Sequence, residues 1–145
     1  MSNYETITAI TDNLEAVLKG LGVNFTRTVY EDMASIPTSL LPLGEIIYNR
    51  ESFEHPSGMK SGYCEAGFRL KVTLKENNPR DMQLAQMYWI HKIRDRITVN
   101  ALNIGSLASS KLVSTIITES ARPENVHYEA VAAIIYEIKI RYREV

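Results

Sequence analysis

The chain has 145 residues, 45% hydrophobic and 23% charged, with a formal net charge of -1. That length buries a core without staples and reads as one domain over residues 1–145, and the near-neutral charge offers no basic footprint for sequence-specific nucleic-acid binding. A single cysteine, Cys64, excludes an internal disulfide framework and fits a reducing compartment. No run approaches eighteen apolar residues, and MSNYETITAI lacks the parts of a signal peptide, so no membrane partner and a cytoplasmic origin are expected.

Ser2 and Glu5 have the spacing of a capping box. Ile7, Ile10, Leu14, Val17, Leu18 and Leu21 then recur at helical spacing, and Gly20 and Gly22 supply the stop. Val23, Phe25 and Val29 suggest a short strand. Residues 31–42 carry Pro37 and Pro42 without a clear period and read as a connection. A second strand is expected over 43–50. The polar stretch 51–62, with Pro56, Gly58 and Gly62, reads as a mobile hairpin loop.

Tyr63 to Lys75 alternates strictly. Cys64, Ala66, Phe68, Leu70, Val72 and Leu74 share one face, and Tyr63, Glu65, Arg69, Lys71, Thr73 and Lys75 the other. With 43–50 it predicts an antiparallel hairpin. Asn78-Pro79 starts a second helix, reaching about Val99, with a stripe of Met82, Ala85, Trp89, Ile93 and Ile97 broadened by Tyr88 and Ile90. Residues 112–118 predict another strand, and SARPEN at 120–125 a turn.

The last stretch, YEAVAAIIYEIKIRY at 128–142, sets Ile134, Tyr136, Ile138, Ile140 and Tyr142 opposite Ile135, Glu137, Lys139 and Arg141. Fifteen extended residues span roughly 50 Å, beyond the roughly 38 Å diameter of a domain this size. The strand therefore bends at Ala130, Ala132 and Ala133, or its end serves a neighbouring subunit. The expected class is α+β: a mostly antiparallel sheet of four or five strands with two amphipathic helices on one face.

No catalytic or cofactor constellation can be assembled. His55, His91 and His127 are scattered without metal-ligand partners, and Cys64 lies on an apolar strand face with no base beside it. Gly58-Met59-Lys60-Ser61 lacks the spacing of a phosphate loop. The carboxylates are dispersed, so no metal cage is indicated. Two features point to assembly instead. One is the pair of charged strand faces, Arg69, Lys71 and Lys75 with Glu137, Lys139 and Arg141, suited to a solvated face or to mixed-charge contact with another subunit. The other is the loop at 51–62, suited to a binding arm.

The helix ITAITDNLEAVLKGLG, the pair LGEIIYNRESFEHPSG and CEAGFRLKVTLK, the helix NPRDMQLAQMYWIHKIRDRI and the strand IIYEIKIRYRE follow one another in an order that resembles the tail-terminator and tail-completion proteins of long-tailed bacteriophages, the lambda tail-terminator type. The likeness covers nearly the whole chain as an order of elements, without a diagnostic motif. It implies a non-enzymatic protomer without cofactors that closes into a ring, usually a hexamer. Such a ring caps the tail tube and joins it to the head–tail connector proteins, first in the host cytoplasm and then in the virion tail or neck. It further implies interface roles for Glu51, His55, Met59 and Lys60 in the hairpin arm. The competing expectations are a small dimeric ligand-binding or regulatory domain, whose pocket Tyr63, Tyr88 and Trp89 would line, and a small enzyme of another type.

Overall fold

The computed structural model describes residues 2–26, 36–54, 62–128 and 130–145, with backbone alone for 125–128. Helix α1 spans Asn3–Gly20, and the capping box forms as its sequence requires: the Ser2 side chain accepts from the Glu5 N–H, and the Glu5 side chain accepts from the Ser2 N–H. The short strand β1, Asn24–Thr26, follows; Val29 lies outside the described residues. Strand β2 runs Leu43–Phe53 and β3 runs Tyr63–Lys75. Helix α2 is Pro79–Arg96, capped by the Asn78 side chain on the Asp81 N–H. The one-turn helix α3, Val99–Leu102, starts on its own cap, Thr98, so α2 stops short of Val99. Strands β4, Val113–Tyr128, and β5, Val131–Arg143, complete the chain.

The five strands form one mixed sheet in the order β1-β2-β3-β5-β4. Among the described residues only β1 and β2 are parallel; the other pairs are antiparallel, including the expected β2–β3 hairpin. The α+β class and the mostly antiparallel sheet are as the alternation predicts. β5 is fully flanked, by β3 along its whole length and by β4.

Three further boundaries differ from expectation. SARPEN is strand, not turn: Ser120, Ala121, Arg122, Pro123, Glu124 and Asn125 pair with Glu137 down to Ala132. β4 is a sheet edge, where a missing proline N–H costs little. The chain reverses further on, with Tyr128 opposite Val131 and Ala130 at φ +58°. Of the overlong last stretch only Tyr128 belongs to β4; the chain turns at Ala130, one of the expected bend positions, and 131–143 run on as a single strand. Finally, Glu51–Phe53 belong to β2, so the hairpin connection begins only at Glu54.

Alternation puts the core on one face. Ile134, Tyr136, Ile138, Ile140 and Tyr142 of β5 and Cys64 to Leu74 of β3 are buried beneath the helices. They meet Ile10, Leu14 and Leu18 of α1 and Met82 and Ile93 of α2. α1 lies against β1 and the start of β2, whereas α2 crosses β3, β5 and β4. On the opposite face Leu43, Val131 and Ala133 form a second, smaller cluster with Ile36. The chain end is tied in: the Arg143 N–H donates to the Leu112 carbonyl at 2.8 Å, the Glu144 N–H to Gly62 at 3.0 Å, and the Val145 N–H to Asn3 Oδ1 at 2.8 Å.

Candidate assembly surfaces

The charged strand positions lie together on the face turned away from the helices, as period-two alternation requires. Arg69 stands opposite Glu137 and donates Nε and Nη2 to the same carboxylate oxygen at 3.1 and 2.8 Å. Lys139 sits between Glu119 at 2.7 Å and Glu65 at 3.7 Å, and Glu119 holds its ammonium above the ordinary range. Arg141 pairs with Glu54 at 2.7 Å and lies 4.1 Å over the Tyr63 ring. Lys71 is half-buried opposite Ile135 and Glu45. Arg69, Glu137, Lys139 and Arg141 are therefore neutralised within the chain. That makes the face a weaker source of affinity for a neighbour than its charge count suggests.

The Arg69–Glu137 pair is exposed enough to be worth little. A double-mutant cycle with Arg69→Ala and Glu137→Ala is expected to give a coupling of about 0.2–1 kcal/mol, shrinking in molar salt. A salt-insensitive coupling above that range contradicts the solvated reading of this face.

On the helix-side face, the far half of β2 carries what the sequence did not reveal. The Tyr48 hydroxyl donates to Glu51 Oε1, and Tyr142 Oη donates to Glu51 Oε2 at 3.1 Å. Glu51 and Tyr142 belong to β2 and β5, with β3 between them. The bond crosses β3, where the register sets Glu51 beside Ala66 and Tyr142 beside Cys64. Burial raises the Glu51 carboxyl above its usual range although both phenols pull it down. Burial first, and the Glu51 charge next, hold Tyr142 far above a normal phenol. Tyr48 is raised chiefly by burial and then by its bond to Glu51, and burial also raises the Cys64 thiol. A buried, raised thiol is a poor nucleophile.

The sign of the Glu51 shift is testable. A carboxyl whose folded pKa exceeds its unfolded value near ~4.3 contributes stability at low pH and loses it as pH rises through the folded value. Glu51→Gln is therefore expected to gain stability relative to the parent protein between pH 4 and pH 7, in parallel urea titrations. A relative loss over that range would mean that the two phenolic bonds outweigh burial.

Glu51 is thus the one arm residue for which the geometry gives a role, but as the centre of a side-chain clasp. His55, Met59 and Lys60 lie outside the described residues. Of the side chains proposed for a pocket, Tyr88 and Trp89 meet edge to face, with centroids 5.5 Å apart, but Tyr63 does not join them. Tyr63 lies on the outer face against Arg141, Tyr88 is exposed on α2, and Trp89 borders an open cleft of about 480 Å³ with Leu41 and Leu74. Tyr88 therefore leaves the buried stripe assigned to it; Gln86 takes that place and donates to the Ala133 carbonyl at 3.1 Å. No group of His, Cys, Asp and Glu suited to a metal is present among the described residues. No described helix is long and apolar enough to cross a membrane.

Apolar exposure is the remaining feature. Leu84, Met87 and Tyr88, at i, i+3 and i+4, are 52%, 51% and 56% exposed along the outside of α2. Tyr48 and Phe53 are 51% and 64% exposed on the uncovered part of β2. The sequence pattern picks out the buried stripe of α2 and not this one, because apolar residues flanking a buried stripe read as part of it.

No family model matches the chain, and no curated protein does. Among solved structures, a chain described as "Virion of native gene transfer agent (GTA) particle" superposes with a TM-score of 0.52 at 11% identity, covering 93% of this chain and 92% of that one. At that identity the two share a fold, a mixed sheet backed by helices and matched almost end to end.

Proposed function

We propose that the protein is a structural component of a phage-like virion, a protomer of the ring that ends the tail tube and joins it to the head connector. The observation that carries this reading is the near end-to-end fold likeness to a chain of a gene transfer agent virion. Agreement over more than nine-tenths of both chains relates whole protomers rather than a common supersecondary motif. Exposed apolar groups on α2 and β2, and titratable groups engaged with one another instead of facing a cavity, support an assembling protomer over a catalyst. In this reading the partners are further copies of the chain in a six-membered ring, the tail-tube protein and the connector. The sites are the cytoplasm during assembly and the tail or neck of the particle afterwards.

Light scattering on a size-exclusion column, over a wide range of concentration, tests it. A species near six protomers, annular in negative stain, is the expected result, either alone or after addition of tail tubes. A concentration-independent dimer stabilised by a small metabolite in thermal-shift screening would overturn the reading in favour of a ligand-binding domain.

A further inference from the structure

Three surfaces compete as the contact between copies. The first, the open edge of β4, is blunted: the register shifts at Val113/Thr115, Thr118/Ser120 and Asn125/Tyr128, and Pro123 and Arg122 interrupt it. Bulges, proline and charge are the devices that keep an edge from accepting another strand. The outer sheet face, the second, is largely neutralised within the chain. The third pairs two unlike apolar patches that no described element covers. One is the Leu84–Met87–Tyr88 stripe of α2, above β3, β5 and β4. The other is a shelf on the helix-side face of β2, where Tyr48, Glu51 and Phe53 stand beside Phe68, Ala66 and Cys64. α1 lies over the start of β2, with Leu18 against Gly44, and leaves this far half open.

We propose, resting on the ring reading above, that the α2 stripe of one protomer seats on the Tyr48–Glu51–Phe53 shelf of the next. The charges match: α2 carries Arg80, Lys92, Arg94 and Arg96 against Asp81 and Asp95, whereas the shelf has the Glu51 carboxylate at its centre. Like patches do not match, because α2 on α2 sets two cationic helices together and shelf on shelf opposes two carboxylates. The two patches sit at different places on one chain, so their contact is heterologous and runs head to tail, the kind that closes rings. Five large apolar side chains meet around a half-buried charge, the make-up of an interface centre.

The test is disulfide trapping with Phe53→Cys and Met87→Cys, each in a Cys64→Ala background, with light scattering of the same samples. A mixture of the two single variants is expected to give a cross-linked dimer, and the doubly substituted chain a ladder ending at the closed oligomer. Separately, Phe53→Glu and Met87→Glu, at exposed positions, are expected to keep the parent circular dichroism and raise the dissociation constant about 30-fold or more. An oligomer near six protomers without the mixed cross-link overturns this contact and leaves the ring reading standing. The cross-link in dimers or open filaments alone sustains the contact and overturns the ring. Trapping of Met87→Cys with itself, or neither cross-link nor oligomer, overturns the proposal.

Discussion

Ile138→Asp is expected to abolish the fold: no cooperative urea transition, and a circular dichroism spectrum without the parent sheet signal. Ile138 is 1% exposed in β5, flanked by Phe68 on β3 and Thr118 on β4. Losing the buried aliphatic group removes about 1.5–3 kcal/mol. The new carboxylate has no cation of its own strand beside it, since Lys139 and Arg141 point to the other face, and burying a charge costs several kcal/mol more. Against a total stability of about 5–15 kcal/mol for a domain, that sum is decisive. Lys139→Asp, one residue on and facing outward, is the control and is expected to retain a cooperative transition. If Ile138→Asp unfolds cooperatively with the parent's denaturant slope, the assignment of that face to the core is wrong.

The same alternation shows why some of the fold was legible. Strand β3 falls at Tyr63–Lys75, as its two-residue period requires, because both its faces carry strong and opposite chemistry. The starts of α1 and α2 were readable because capping is local: Ser2 with Glu5, and Asn78 before Pro79, act within one turn. What failed were assignments that depend on sheet position. Proline at 123 and the polar run around it signal a turn unless the strand is known to be an edge, and edge status is a property of the whole sheet. The place of β5 between β3 and β4 was equally hidden, since no residue in it specifies its neighbours.

The candidate surfaces divide along the same line. The outward direction of Arg69, Glu137, Lys139 and Arg141 followed from period two, but their mutual neutralisation depends on the register of β3 and β5 and on Glu119 at a shift in β4. The Glu51 clasp joins residues 91 positions apart and crosses an intervening strand, which no local pattern in the sequence signals. The polar run at 51–62 places Phe53 in a loop when read by itself. Only as part of β2 does it stand in a row with Tyr48 and Glu51.

Phe68→Ala is the second large effect and joins the core to that shelf. The Phe68 ring is 1% exposed and meets Tyr48 edge to face, with centroids 5.5 Å apart and planes at 69°. Truncation in a packed core costs about 3–5 kcal/mol, part of it the cavity and part the aromatic pair. For a chain of this size each kcal/mol lowers the melting temperature by roughly 2–4 °C, so a fall on the order of 10 °C is expected. The denaturant slope should stay at the parent value, because the same surface is exposed on unfolding. Phe68→Leu keeps most of the volume and should lose less than half as much. The consequence reaches function through Tyr48, which loses the ring it rests on and so holds Glu51 less firmly. At temperatures where Phe68→Ala is still folded, it should assemble more weakly than Phe68→Leu, although neither change touches an exposed atom of the shelf. Equal assembly by the two folded variants would separate the core from the contact and leave Tyr48 positioned by Glu51 alone.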